Sequence, residues 1–166
     1  MSTVTFQQAP VQLTGQFVQV GQTSPDFTVV GGDLADITKA SLVGKNVVLS
    51  FFPSVDTGVC AMGMRKFNEA AASVADTVII GISQDLPFAA GRFCAAEGIE
   101  AVKTGSTFRN NEVLEAFGVK IAEGALANIS ARAVVVLDKD SKIVHAELVG
   151  EITEEPNYEA ALASLK

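Results

Sequence analysis

The spacing of hydrophobic and polar positions changes several times along the chain. Val4 to Val20 (VTFQQAPVQLTGQFVQV) alternates with period two and is interrupted at Ala9-Pro10, which predicts an N-terminal β-hairpin. FTVVGGDL predicts a short strand entering a turn at Gly31-Gly32. NVVLSFFP (Asn46 to Pro53) and TVIIGIS (Thr77 to Ser83) are unbroken apolar runs rich in β-branched side chains. Runs of that kind are strands buried on both faces, as in a parallel sheet covered by helices. Between them, Cys60, Met64, Phe67, Ala71 and Val74 share one face of a helix. Leu86 to Gly98 predicts another helix, with Asp85 as its cap, Pro87 in its first turn and Gly98 as its stop. A short strand around Val102–Ser106 and a short helix around Asn111–Phe117 follow. RAVVVLDKDSKIVHAELV gives two strands about a polar turn at Asp138–Ser141, and so short a connection makes them antiparallel. The last helix is expected to open at Pro156, with Tyr158, Ala161, Leu162 and Leu165 as its apolar stripe. The order is βαβ units, then a hairpin and a helix. It predicts an α/β architecture in which helices flank a central mixed β-sheet.

Composition narrows the function classes. A chain of 166 residues is expected to form one domain, 1–166, with residues 1–21 as an N-terminal hairpin extension. Its net charge of −7, with no Lys/Arg cluster, argues against nucleic acid and anionic membrane surfaces as partners. MSTVTFQQAP has neither the basic nor the apolar region of a secretory signal, and no apolar run approaches membrane-spanning length. Two cysteines do not make a disulfide scaffold, so a reducing cytoplasm is expected. One histidine and two distant cysteines make a weak metal signal, and no metal or cofactor is expected.

The candidate chemistry lies in PSVDTGVCAMGMRKF, Pro53 to Phe67. Asp56-Thr57-Gly58 is the triplet of aspartic proteases. Here it runs into Val59 and a helix, and no repeat supplies a second carboxylate. Asp56 reads instead as a helix cap, or as a partner for an arginine such as Arg109 at a subunit interface. Cys60 follows a buried strand and sits in the first turn of its helix, with Thr57 or Asp56 as cap. Free N–H groups and the helix dipole favour a thiolate at such a place. The competing reading is a small core residue on an apolar stripe. Ionisation alone does not make a fast nucleophile: from an ordinary thiol it raises the thiolate population about 30-fold, or roughly 2 kcal/mol. Donors must also stabilise charge that develops in the transition state. Thr57 is one candidate. Arg132 is another, because it opens the apolar strand Ala133–Leu137, where a charge needs a partner or an open pocket. An arginine snorkelling from a strand end is an equally weighted alternative. Cys94 falls on a stripe with Leu86, Ala89, Ala90 and Phe93, mid-helix, and is expected to be buried. Gly91 inside the same helix weakens it by roughly 0.5–1 kcal/mol relative to Ala.

Pro53, Thr57 and Cys60 match the PxxxTxxC motif of peroxiredoxins. PSVDTGVC with RKFN, DLPFAAGRFC, STFRN, ARAVVVLD and EITEEPNYEAAL together resemble the thiol peroxidase subfamily of bacterial atypical two-cysteine peroxiredoxins. The resemblance covers essentially the whole chain. It implies a thioredoxin-like fold and reduction of hydrogen peroxide and organic hydroperoxides. It implies that Cys60 is the peroxidatic and Cys94 the resolving cysteine, bridged by a disulfide during the cycle. It assigns peroxide binding to Thr57 and Arg132 and shielding to Pro53. It also implies thioredoxin as electron donor, a homodimer and a bacterial cytoplasm. Because Cys94 is placed on a buried stripe, disulfide formation is expected to require partial unwinding of Leu86–Gly98. Two departures stand out: Met62 and Met64 replace smaller residues, with a reshaped pocket as the expected effect, and Gly81 stands where some relatives carry a third cysteine. Two rival readings use the same cysteines, a redox sensor that reacts once and a fixed structural disulfide. The latter would close a loop of about 35 residues and add roughly 4 kcal/mol.

Overall fold

A computed structural model describes residues 2–165. The N-terminal hairpin pairs β1 (Thr3–Phe6) with β2 (Ala9–Thr14). Its turn is Gln7-Gln8, both left-handed with φ 50° and 71°, which matches the twist of a two-residue hairpin. The strand therefore resumes at Ala9-Pro10, where a break was expected. Pro10 stands opposite Thr5, and Phe17–Val20 forms no strand. The chain leaves β2 at Gly15, φ 83°, where a Cβ would lie 2.3 Å from the Glu115 carbonyl oxygen. On its other edge β2 pairs with the two-residue β8 (Lys120–Ile121), giving a small sheet in the order β1-β2-β8.

The main sheet has seven strands. They are β3 (Thr28–Val30), β4 (Asp36–Thr38), β5 (Asn46–Phe51), β6 (Thr77–Ser83), β7 (Val102–Ser106), β9 (Ala133–Leu137) and β10 (Ile143–Leu148), in the order β10-β9-β5-β6-β7-β3-β4. The β5–β6 and β6–β7 pairs are parallel, and β9 runs antiparallel to β5 and β10. Both apolar runs are two-sided, as their composition predicts. From β5, Val47, Leu49 and Phe51 face a core built with Phe27, Leu114 and Phe117. Val48 and the following Phe52 face the opposite core with Cys60, Met64 and Phe67. The first core is closed by α3 (Glu112–Ala116), whose C-cap Phe117 has its ring 5.1 Å from that of Phe51. The second is closed by α1 (Gly58–Ala70) and α4 (Tyr158–Ala163), with Phe93 and Cys94 of α2 (Pro87–Glu97) at its margin. The hairpin adds a third cluster, in which Val4 and Leu13 meet Ile121, Ala131 and Ile152.

Three local expectations change. The last helix opens at Tyr158, two residues after Pro156, because Asn157 caps it by accepting the Ala160 amide at 3.0 Å. The cap residue of α2 is Leu86, not Asp85. Of the residues of α2 only Pro87 and Ala90 are buried; Leu86 is 51% exposed and Cys94 half-buried, so the expected stripe is a shallow one.

The two departures at Gly81 and Met64 are physically one. A Cβ on Gly81 would meet the Met64 sulfur at 2.6 Å and the Phe52 ring at 3.0 Å. The long methionine of α1 occupies the space that a side chain on β6 would need. Gly81→Ala should therefore cost about 1–3 kcal/mol of stability by overpacking. The same change made in a Met64→Ala background should cost little, as read from a double-mutant cycle in denaturant. Equal penalties in both backgrounds would show that the two residues do not compete for space.

Candidate active site

The site forms at the carboxyl end of β5. Because β9 is antiparallel to β5 with Ala133 opposite Phe51, the start of β9 and the end of β5 share one edge. Leu148 pairs with Ala133 in turn, so the chain leaving β10 arrives at that edge as well. The strand order thus gathers Pro53–Thr57, Arg132 and Gly150–Thr153.

After Phe52 the chain makes a tight turn. The Ser54 carbonyl accepts the Thr57 amide at 3.2 Å and the Thr57 hydroxyl at 3.0 Å, while Ser54 Oγ accepts the Asp56 amide at 3.1 Å. Thr57 is the cap residue of α1, in extended conformation, but its hydroxyl points back to Ser54 and caps nothing. Cys60 is the third residue of the helix, in the turn whose amides lack helical partners. Arg132 Nη1 donates to Cys60 Sγ at 3.1 Å, and its Nε donates to the Ile152 carbonyl at 2.9 Å. Arg132 is 5% exposed and Cys60 2%. This guanidinium does not snorkel: it is a buried cation aimed at a buried sulfur. An unpartnered charge at such depth costs several kcal/mol, so the carbonyl and the sulfur must offset it.

Above the pair lies a cavity of about 330 Å³. Pro53, Ser54, Thr57, Gly58, Val59 and Arg132 form one side of it. Phe6, Leu126, Ile129, Ile152 and Thr153 form the other. Pro53, Thr57, Cys60 and Arg132, singled out in the sequence, are thus brought together. Cys94 is not among them. It lines a separate cavity of about 330 Å³ between α2, β7 and the β3–β4 hairpin, beside Asp36, Gly91 and Lys103. Both cysteines are free thiols while α1 and α2 are fully formed. Burial pushes the Cys94 thiol up from its ordinary value. Neither Met62 nor Met64 lines the Cys60 cavity: Met62 is 43% exposed, and Met64 is packed beneath the helix. Asp56 is exposed, and Arg109 pairs with Asp36 at 2.8 Å within the chain. Among the described residues no group of acidic, His and Cys side chains could hold a metal ion, and no helix is long and apolar enough to cross a membrane.

Sequence reasoning missed the apolar wall. Phe6 comes from the hairpin, Leu126 and Ile129 from the loop before β9, and Ile152 from the segment after β10. Only the fold joins them. It also missed the staple that holds the wall in place. The Glu151 carboxylate accepts the Thr153 amide at 2.8 Å, the Gln8 amide at 2.8 Å, the Thr153 hydroxyl at 2.7 Å and the Thr5 hydroxyl at 3.0 Å. Backbone bonds from Thr5 N to Gly150 O and from Ile152 N to Thr5 O run beside it. Tyr158 of α4 stacks edge-on against Phe67 of α1, and burial, then the Glu155 charge, pushes its phenol well up.

A model of the redoxin family matches residues 19–162, leaving out the β1–β2 hairpin. A thiol peroxidase of Vibrio cholerae is 45% identical over 163 residues, 98% of this chain and 99% of the relative. The structure of a peroxiredoxin-like protein from Aquifex aeolicus superposes with a TM-score of 0.93 at 40% identity, covering 98% of this chain and 95% of that one. A thiol peroxidase from Chromobacterium violaceum has a TM-score of 0.89 at 20% identity and covers 97% and 93%; that likeness speaks to the fold alone. The chain belongs to the redoxin family and, within it, to the thiol peroxidases. Its fold is the thioredoxin-like one of the peroxiredoxins.

The Glu151 staple has a pH signature. Its donors, the Thr153 and Gln8 amides first, hold the carboxyl at about 2 against an ordinary 4.5. The folded value lies below the unfolded one, so the contribution is complete above about 4.5 and fades as pH falls through about 2. Hydrogen-exchange protection at the Thr5 and Ile152 amides should weaken across that window, and Glu151→Gln should show weakened protection already at neutral pH. Unchanged protection in the variant would mean that the carboxylate does not hold the hairpin.

Proposed function

We propose that this chain is a thioredoxin-dependent peroxidase that reduces hydrogen peroxide and organic hydroperoxides to water and alcohols, with Cys60 as the peroxidatic and Cys94 as the resolving cysteine. The observation that carries the reading is Arg132 Nη1 at 3.1 Å from Cys60 Sγ, at a helix N-terminus beneath an apolar cavity. The Cys60 thiolate attacks one peroxide oxygen. The O–O bond breaks, the sulfur becomes a sulfenic acid, and the departing oxygen leaves as water or alcohol after taking a proton. Arg132 faces both the sulfur and the cavity, so its fixed charge can stabilise the departing oxygen without reorganisation. Thr57 lines the same cavity with its hydroxyl held by Ser54, placed to orient the peroxide. Pro53, buried and without an N–H, shields the wall. The side made by Phe6, Leu126, Ile129 and Ile152 suits an alkyl substituent, which supports organic hydroperoxides as substrates.

Cys94 then condenses with the sulfenic acid. The thiol proton leaves with the sulfenic hydroxyl as water as the S–S bond forms. Cys60 is buried beneath one cavity and Cys94 lines another, so part of α2 must unwind first. Its shallow burial and Gly91 make that opening cheap. Thiol–disulfide exchange with thioredoxin restores the dithiol, and a cytoplasmic setting fits this reductant.

Peroxide-dependent NADPH oxidation, coupled through thioredoxin and thioredoxin reductase, tests the cycle. Wild type should turn over, Cys60→Ser should be inert, and Cys94→Ser should accumulate sulfenic acid and stall. Consumption of a single equivalent of peroxide by wild type would point instead to a sensor that reacts once. A homodimer is supported by exposed apolar residues beside the site: Phe88 is 71% exposed, Leu86 51% and Phe108 39%. The two segments adjoin, since Ser106 Oγ accepts the Phe108 amide and donates to the Asp85 carbonyl. Phe88→Glu should shift sedimentation from dimer to monomer; an unchanged coefficient would place the interface elsewhere.

A further inference from the structure

Asp85 stands in the short connection between β6 and α2. Leu86 takes the cap position of α2, and the Asp85 side chain turns the other way. Its Oδ1 accepts Ser54 Oγ at 2.8 Å, and its Oδ2 accepts the Val55 amide at 2.9 Å and Ser83 Oγ at 2.7 Å. Its backbone carbonyl accepts the Ser106 hydroxyl. One residue therefore ties together the ends of β5, β6 and β7. Ser54 passes the restraint onward, since its carbonyl holds the Thr57 amide and hydroxyl, and Thr57 begins the helix of Cys60.

The same residue is the root of α2. That helix has no side-chain cap, and little of it is buried. Its far end is held from α1, where Asn68 Oδ1 accepts the Glu100 amide at 3.2 Å and the Ala101 amide at 2.8 Å. The segment carrying Cys94 is thus pinned at both ends and loose between them.

We infer that Asp85 is a positioning residue that couples the two cysteine-bearing helices, holding the Ser54–Thr57 turn in its attacking geometry and setting the point where unwinding of α2 stops. The inference rests on the Cys60–Cys94 reading above. It requires opposite effects on the two oxidative steps. Asp85→Asn keeps the shape but turns one acceptor into a donor that faces donors. Freeing the turn misplaces Thr57 and slows peroxide attack. Freeing the root of α2 lets Cys94 approach more readily.

The chain has no tryptophan, so rapid-quench mass spectrometry is the suitable readout. It counts reduced, sulfenylated and disulfide forms after mixing with hydrogen peroxide. In Asp85→Asn, sulfenylation should slow at least about tenfold, a misplacement effect, while the disulfide step runs at or above the wild-type rate. Ser54→Ala removes the Oδ1 bond from the turn side and should slow sulfenylation without quickening the disulfide step. The double variant should sulfenylate no more slowly than Asp85→Asn, because both changes break one path. Sulfenylation within about twofold of wild type, or both steps slowed in parallel, would overturn the inference. Should Asp85→Asn fail to fold, Ser54→Ala decides on sulfenylation alone. A Cys94→Ser variant that never forms a sulfenic acid with peroxide would sink the peroxidase reading itself, and is recognised before any Asp85 or Ser54 variant is compared.

Discussion

A buried guanidinium organises this molecule. Arg132 is 5% exposed and has two partners, the Ile152 carbonyl and the Cys60 sulfur. Little of it is open to water to offset the desolvation of its charge, so both partners must be held in place. Ile152 is held by the bond from its amide to the Thr5 carbonyl, beside the Glu151 carboxylate that gathers Thr5, Gln8 and Thr153. Cys60 is held by the rigid first turns of α1, whose inner face packs Met64 and Phe67 into the core. The hairpin, the segment after β10 and the first helix are therefore parts of one support for a single ion–sulfur contact.

The two cysteines differ in the ways their environments require. Cys60 sits at a helix start, against a permanent cation and under a cavity with an apolar wall. Cys94 sits mid-helix, half-buried, facing a different cavity, with its thiol pushed toward the protonated form. Under the proposed roles, one environment suits attack and the other suits waiting. The stability of α2 divides in the same sense, with firm anchors at Asp85 and Asn68 and few buried residues between them. A helix of that kind can open locally without disturbing the parallel strands beneath it.

Much of this was legible from residue patterns. NVVLSFF and TVIIGIS carried the signature of two-sided strands, because they are nearly unbroken apolar runs rich in β-branched residues. The step from β5 into α1, with Cys60 in the first turn, followed from helical spacing. Misread positions were those where a side chain had several local options. Asp85 is a good capping residue by type, but Leu86 occupies the cap, and three donors from β6 and the turn after β5 outweighed that option. Pro10 looked like a break, yet the turn fell on Gln7-Gln8 and the strand runs through Pro10 opposite Thr5. Met64 and Gly81 looked like separate departures until they were found to share one volume.

What the sequence determined by itself was local: the elements, their periodicity, and a thiol at a helix start with a threonine ahead of it. Those follow from forces between residues a few positions apart. The tertiary structure decided everything that depends on strand order. Antiparallel pairing of β9 with β5 brings Arg132 to within 3.1 Å of a sulfur 72 residues away. The same edge receives Phe6 from the hairpin and Ile152 from the chain after β10, completing a wall that no stretch of sequence contains. Burial then makes Arg132 more than a surface charge, because one guanidinium acts strongly on one sulfur only where little water screens them.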